Sequence, residues 1–136
     1  MNTTTVHVAR FTAAYWCVLI AALLPMVCAL LAKRGAFRRS DNADPRSWLD
    51  RQTGWRARAN AAQANSFEAL PFFIGAVVIA HQLGAPQTPL DMLALAFVLL
   101  RIGFIALYVG GMPTARSLVW SAGLLFNVAI LFIGYR

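Results

Sequence analysis

Negative charge is scarce in this chain. Five Asp and Glu residues stand against twelve Lys and Arg, and only 12% of the 136 residues are charged at all. With 60% apolar residues and a mean hydropathy of +0.62, this excludes an ordinary soluble domain, which is about half apolar and a quarter charged. Cysteine is nearly absent: Cys17 and Cys28 are the only two, and both lie in the first apolar run. Eleven residues of helix separate them by roughly 16 Å, too far for an intrachain disulfide, so they read as small buried side chains. Histidine is equally sparse, His7 and His81 standing alone, and no metal motif exists. Haem and nucleotide motifs are missing too. The apolar residues do not alternate with polar ones, which argues against a membrane barrel. The first apolar run carries no acidic residue, which argues against a small proton-coupled exporter.

What remains is four long apolar stretches, at about 11–32, 61–83, 89–109 and 117–135. The first holds 22 uncharged residues and the last 19, against the roughly 20 needed to cross a hydrocarbon core. The first stretch could be a signal peptide. It is longer than a typical apolar signal core, though, and Lys33, Arg34 and Gly35 follow it instead of a cleavage site, so it reads as a retained span. The fold class is therefore an all-α membrane protein: an antiparallel bundle of four transmembrane helices in a single domain, 1–136.

Eight of the twelve basic residues fall in the connection 33–58, and none in the turn from Gly84 to Pro89. The positive-inside rule places the long basic loop in the cytoplasm and both termini outside. Beside a membrane, topology and contact with lipid account for this charge, and no nucleic-acid partner is implied. Asp44 before Pro45 predicts a short capped helix in the loop, ending near Gly54. Thr88, Pro89 and Asp91 read as the N-cap, first-turn proline and N3 acid of the third helix. Pro25 and Pro71 predict kinks.

The stretch Arg58 to Phe73 organises the rest. Arg58, Asn65 and Glu68 fall within roughly 80° of one another on one helical stripe. An ionised Glu inside a bilayer costs several kcal/mol unless it meets a cation or water within the protein. Arg101, the cation of the third span, is its expected partner, and Tyr108 lies seven residues on along the same face. Arg116 and Ser117 begin the fourth span. Asn127, the only amide there, is expected to make a structural bond between helices.

These residues carry a resemblance. Asn65, Glu68 and Pro71 in the run RANAAQANSFEALPFF, then Arg101, Tyr108 and Arg116-Ser117, resemble the family of membrane-associated proteins in eicosanoid and glutathione metabolism. That family includes microsomal glutathione transferases, and a bacterial-type member is what the chain looks like. The resemblance implies a homotrimer in a bacterial inner membrane, with glutathione as co-substrate in a cleft between subunits. By position it implies that Asn65, Glu68 and Tyr108 contact glutathione, that Arg116 lies near the thiol with Ser117 beside it, and that Arg101 braces Glu68. Arg58 is a further cation available to the ligand. Ala61 and Gln63 stand where family enzymes commonly carry Arg and His.

The chemistry suits these roles. Glutathione bears two carboxylates and an ammonium, calling for cationic donors and a carboxylate such as Glu68. A guanidinium near a thiol of pKa about 8.5 favours the reactive thiolate. The expected activity is conjugation of small apolar electrophiles or reduction of lipid hydroperoxides. The alternative on the same fold is a lipid-binding or scaffold protein without chemistry.

Overall fold

The computed structural model describes residues 10–135; residues 1–9, among them His7, and residue 136 lie outside it. Five α-helices follow one another: α1 (Ala13–Lys33), α2 (Pro45–Asp50), α3 (Gly54–Gln82), α4 (Gln87–Val109) and α5 (Pro113–Phe132). A 3-10 turn over Arg39–Ala43 precedes α2. All but α2 are long and apolar enough to cross a membrane, and the protein is an integral membrane protein built as a four-helix bundle. α1 packs on α3 and α4, and α5 packs on α4 and α3 from another side.

Lipid tails are as apolar as Leu, so burying apolar surface between spans yields little, and close van der Waals packing must hold them together. The sequence supplies small residues where the helices meet. Ala14, Ala21, Ala76, Ala80 and Ala94 are all buried, and they let the backbones approach around a stacked pair, Phe73 and Phe97, with centroids 4.2 Å apart. This packing fills the half of the bundle remote from the basic loop. The loop-side half is built on Leu24, Cys28, Ala62, Phe104 and Ile105. Both cysteines are free and buried.

Two sequence expectations change in detail. The second long helix begins at Gly54, earlier than its apolar stretch suggests, so Arg56 and Arg58 are helical. Their guanidinium groups satisfy carbonyls that would otherwise be open: Arg56 donates to Arg34 O at 3.1 Å and Arg58 to Val109 O at 2.9 Å. α4 begins at Gln87, so Thr88 and Pro89 lie inside its first turn, and no side chain caps it. Asp91 instead accepts from the Ala14 amide at 2.8 Å and from Gln87 at 2.7 Å, tying the start of α1 to the start of α4. The reason is the four unsatisfied amides that open every helix: those of α1 face α4 and take its carboxylate. α1 and α3 each continue as one helix through Pro25 and Pro71, the positions where the sequence predicts kinks.

The connection between α1 and α3 is folded. Trp48 of α2 is buried edge-on against Phe37, and the Lys33 ammonium lies 4.4 Å above the Phe37 ring. Asp44 caps α2 by accepting from the Ser47 amide at 3.2 Å.

Candidate functional site

Among the described residues, the buried polar or charged side chains are Ser66, Arg101 and Asn127, and they belong to α3, α4 and α5 in turn. A buried guanidinium is stable only if its donors are used. Arg101 Nη2 donates to Asn65 Oδ1 at 3.0 Å and to Ser66 Oγ at 3.2 Å, while its guanidinium carbon lies 4.3 Å from the centre of the Phe104 ring. Ser66 passes its own hydrogen to the Ala62 carbonyl at 2.8 Å, leaving its oxygen lone pairs for Arg101.

Glu68 is not held by Arg101 directly, as the sequence led us to expect. Asn65 stands between them: its Oδ1 takes the guanidinium and its Nδ2 donates to Glu68 Oε2 at 3.4 Å. An amide suits this position because it accepts on one side and donates on the other. The carboxylate is thereby left open to a cleft.

The cleft has two compartments. The inner one, about 180 Å³, is lined by Glu68, Asn65, Arg101 and Asn127 with Phe72 and Phe97 among its apolar walls. The outer one, about 420 Å³ and more open, is lined by Tyr108, Arg116, Ser117 and Ser121 with Phe104. Asn65 and Trp120 line both, so the two adjoin along a common wall. At the outer end the Arg116 guanidinium lies 4.2 Å from the centre of the Tyr108 ring, a cation–π contact that orients it. Ser117 Oγ donates to the Pro113 carbonyl at 3.0 Å, one turn back in its own helix.

Asn65, Glu68, Arg101, Tyr108, Arg116 and Ser117 therefore meet along one cleft, though they come from three helices. Arg58 does not line either compartment. Its Nε donates to the Val109 carbonyl and its guanidinium packs beside Gly111, whose φ of 73° turns the chain from α4 into α5. A Cβ at Gly111 would be strained in that conformation, though it would meet the guanidinium only at contact distance, 3.4 Å. Arg58 thus serves as a cationic cap for the C-terminus of α4. Asn127 departs from expectation in the other direction. It makes no hydrogen bond to another described residue, its Oδ1 is buried without a partner, and it lines the inner compartment. An amide deep in an apolar span was the signal in the sequence, but a bond between helices satisfied it equally well. Ala61 and Gln63 line a separate groove, about 440 Å³, between α2 and α3 together with Arg46.

The model of the MAPEG family matches residues 13–135. Neither the curated proteins nor the solved structures gave a match.

Proposed function

Because this chain belongs to the MAPEG family, membrane proteins of glutathione and eicosanoid metabolism, we propose that it is a glutathione-dependent transferase or peroxidase using the α3–α4–α5 cleft. The observation that carries this reading is the convergence of Arg116, Ser117 and Tyr108 on one side of Asn65, with Glu68 and Arg101 on the other. The outer compartment suits the reacting sulfur. A fixed guanidinium stabilises a thiolate, and Arg stays charged where a Lys could lose its proton. On binding, the thiol proton passes to water at the open mouth. Ser117 Oγ–H must turn away from the Pro113 carbonyl to donate to the thiolate.

With an apolar electrophile, the thiolate forms a carbon–sulfur bond as the leaving group departs with its electron pair. With a lipid hydroperoxide, the thiolate attacks the terminal oxygen and the O–O bond breaks. The released alkoxide takes a proton to become the alcohol, and a second glutathione converts the sulfenic product to disulfide and water. Glu68 is exposed in the single chain. A charge in that position is costly toward lipid, which supports a homotrimer in which a neighbouring subunit closes the cleft and apolar substrate enters from the bilayer. The basic connection, with Arg34, Arg38, Arg39, Arg46 and Arg51 exposed, fits a cytoplasmic position in a bacterial inner membrane.

A second reading, a lipid-binding or scaffold protein, draws on Ala61 and Gln63, which supply no cation where family enzymes commonly have two basic residues. Thiolate absorbance separates the two. Mixing the protein in detergent with glutathione should raise it at neutral pH, and Arg116→Ala should abolish the rise while leaving thermal stability within about 1 kcal/mol. No rise with the wild-type protein would favour the scaffold.

A further inference from the structure

The groove between α2 and α3, about 440 Å³, shares no lining residue with either compartment of the cleft. α2 packs on α3 within the connection that joins the loop-side ends of α1 and α3, so the groove starts at the membrane face and runs inward along α3. Its lining changes character along that direction. Arg46 and Asp50 of α2 stand at the loop end, Asn60 and Gln63 follow on α3, and Ala64 and Phe67 continue toward the bilayer interior. From Asn60 to Phe67 is seven residues, or roughly 10 Å of helix, and Phe67 is 44% exposed.

The chain leaves the polar end of this groove open. Arg46 and Asp50 are both exposed and four residues apart on α2, yet they form no ion pair; an Arg one turn ahead of its acid is the weaker order for such a pair. The side chains of Asn60 and Gln63 bond to no other described residue either. The other acids of the connection are occupied, Asp41 by the Arg38 amide at 2.8 Å and Asp44 by the Ser47 amide at 3.2 Å. Asp50 is thus the one carboxylate that this arginine-rich connection keeps for the groove.

A cation, an anion and two amides above an apolar track select an amphiphile of a particular kind. Inorganic phosphate would use Arg46, meet Asp50 with like charge and leave Ala64 and Phe67 bare. A fatty acid would cover the track but again set a carboxylate against Asp50. A phospholipid whose head carries a primary ammonium beyond its phosphodiester matches every part. Its phosphate pairs with the guanidinium, its ammonium donates to the carboxylate, the amides serve the phosphate and glycerol ester oxygens, and an acyl chain lies along the track.

We propose that the α2–α3 groove is a binding site for phosphatidylethanolamine, with Arg46 on the phosphate, Asp50 on the ammonium and Ala64 and Phe67 against an acyl chain. The site is independent of the glutathione reading.

The test is native mass spectrometry of the full chain in detergent, titrated with three phospholipids of identical chains: phosphatidylethanolamine, phosphatidylcholine, whose methylated ammonium has no N–H, and phosphatidylglycerol, which has no ammonium. Phosphatidylethanolamine should be retained about tenfold more tightly than either, the loss expected for one charge-assisted bond. Asp50→Asn, at an exposed position, should bring phosphatidylglycerol to within about twofold of it, and Ala64→Trp, which fills the groove, should abolish the preference. Equal retention of all three by the wild-type protein would overturn the site and leave only bulk bilayer contact. Tightest retention of phosphatidylglycerol would overturn it in favour of a basic patch that reads negative charge alone. A preference that survives Asp50→Asn or Ala64→Trp would place the lipid elsewhere. If Ala64→Trp dissociates the assembly while lipid retention is unchanged, a second copy of the chain fills the groove and the proposal falls. The three-lipid comparison is made on the wild-type protein, so a variant that misfolds leaves it intact.

Discussion

The two ends of the bundle handle polar groups in opposite ways. At the end remote from the basic loop, they close on one another. His81 Nδ1 lies 2.8 Å from the Val77 carbonyl, which can only accept, and Thr12 Oγ1 meets the other ring nitrogen at 2.9 Å. Tyr15 stacks on the His81 ring at 4.2 Å, and Asp91 is occupied by Ala14 and Gln87. Around the cleft, by contrast, the groups are held but not used up. Among the described residues, Arg101 keeps donors free of its two bonds, Glu68 is hydrogen-bonded only by Asn65, and Asn127 has no hydrogen-bond partner. Saturated polar groups fix helices against each other, whereas groups oriented yet unsaturated fit a ligand site. By that criterion His81, the only histidine described, belongs to the scaffold.

The sharpest way to break this division is Arg101→Met. Arg101 is both brace and wall, so its loss should leave Asn65 and Ser66 without their donor and Glu68 without nearby positive charge. Removing one member of a buried charged network costs about 3–5 kcal/mol. Thermal unfolding in detergent should show a large drop together with loss of glutathione binding, and Arg101→Lys should fall between, keeping charge without the planar fork. An Arg101→Met protein as stable as wild type would mean that the α3–α4 junction is held by packing alone.

Asp91→Ala probes the other end and should be milder. Two bonds to a carboxylate disappear, one of them linking α1 to α4, at a cost of about 2 kcal/mol. The division requires that glutathione affinity stay unchanged as unfolding temperature falls. Affinity that drops along with stability would show that the two ends are not separable.

The pattern of what the sequence revealed follows the same line. Four spans could be read because a bilayer imposes a length on apolar runs. The Asn65–Glu68–Arg101 grouping was legible because charges in such runs need partners, and a seven-residue spacing places Tyr108 on the face of Arg101. What escaped was the choice among equally good partners. Arg58 shares a helical stripe with Asn65 and Glu68, yet its long side chain goes to the end of α4. Asp91 looks like a cap for its own helix, yet it bonds an amide 77 residues away. Periodicity gives the face of a helix, but which of several donors within reach is taken depends on how helices pack and which rotamers that packing allows. Asn127 is the clearest case, since only coordinates distinguish an amide bonded across an interface from one facing a cavity.

The smallest expected effect lies in neither end but in the connecting loop, and it sharpens the comparison by lying outside the membrane. Hydrogen bonds donated by the Ser47 hydroxyl and amide hold the Asp44 carboxyl below its ordinary value. A carboxyl whose folded pKa is depressed stabilises the fold above its unfolded pKa, about 3.9, and loses that contribution as pH falls through the lower folded value. Capping of α2 should therefore be complete at neutral pH and weaken only below about pH 4. Amide exchange over 45–50 should accelerate on acidification through that window, and Asp44→Asn should flatten the response because an amide side chain caps without titrating. Because Trp48 anchors α2 under Phe37, exchange in α3 near Asn65 should not follow. If it does, the loop and the cleft are coupled, and the ligand site would sense the loop's capping state instead of standing on the bundle alone.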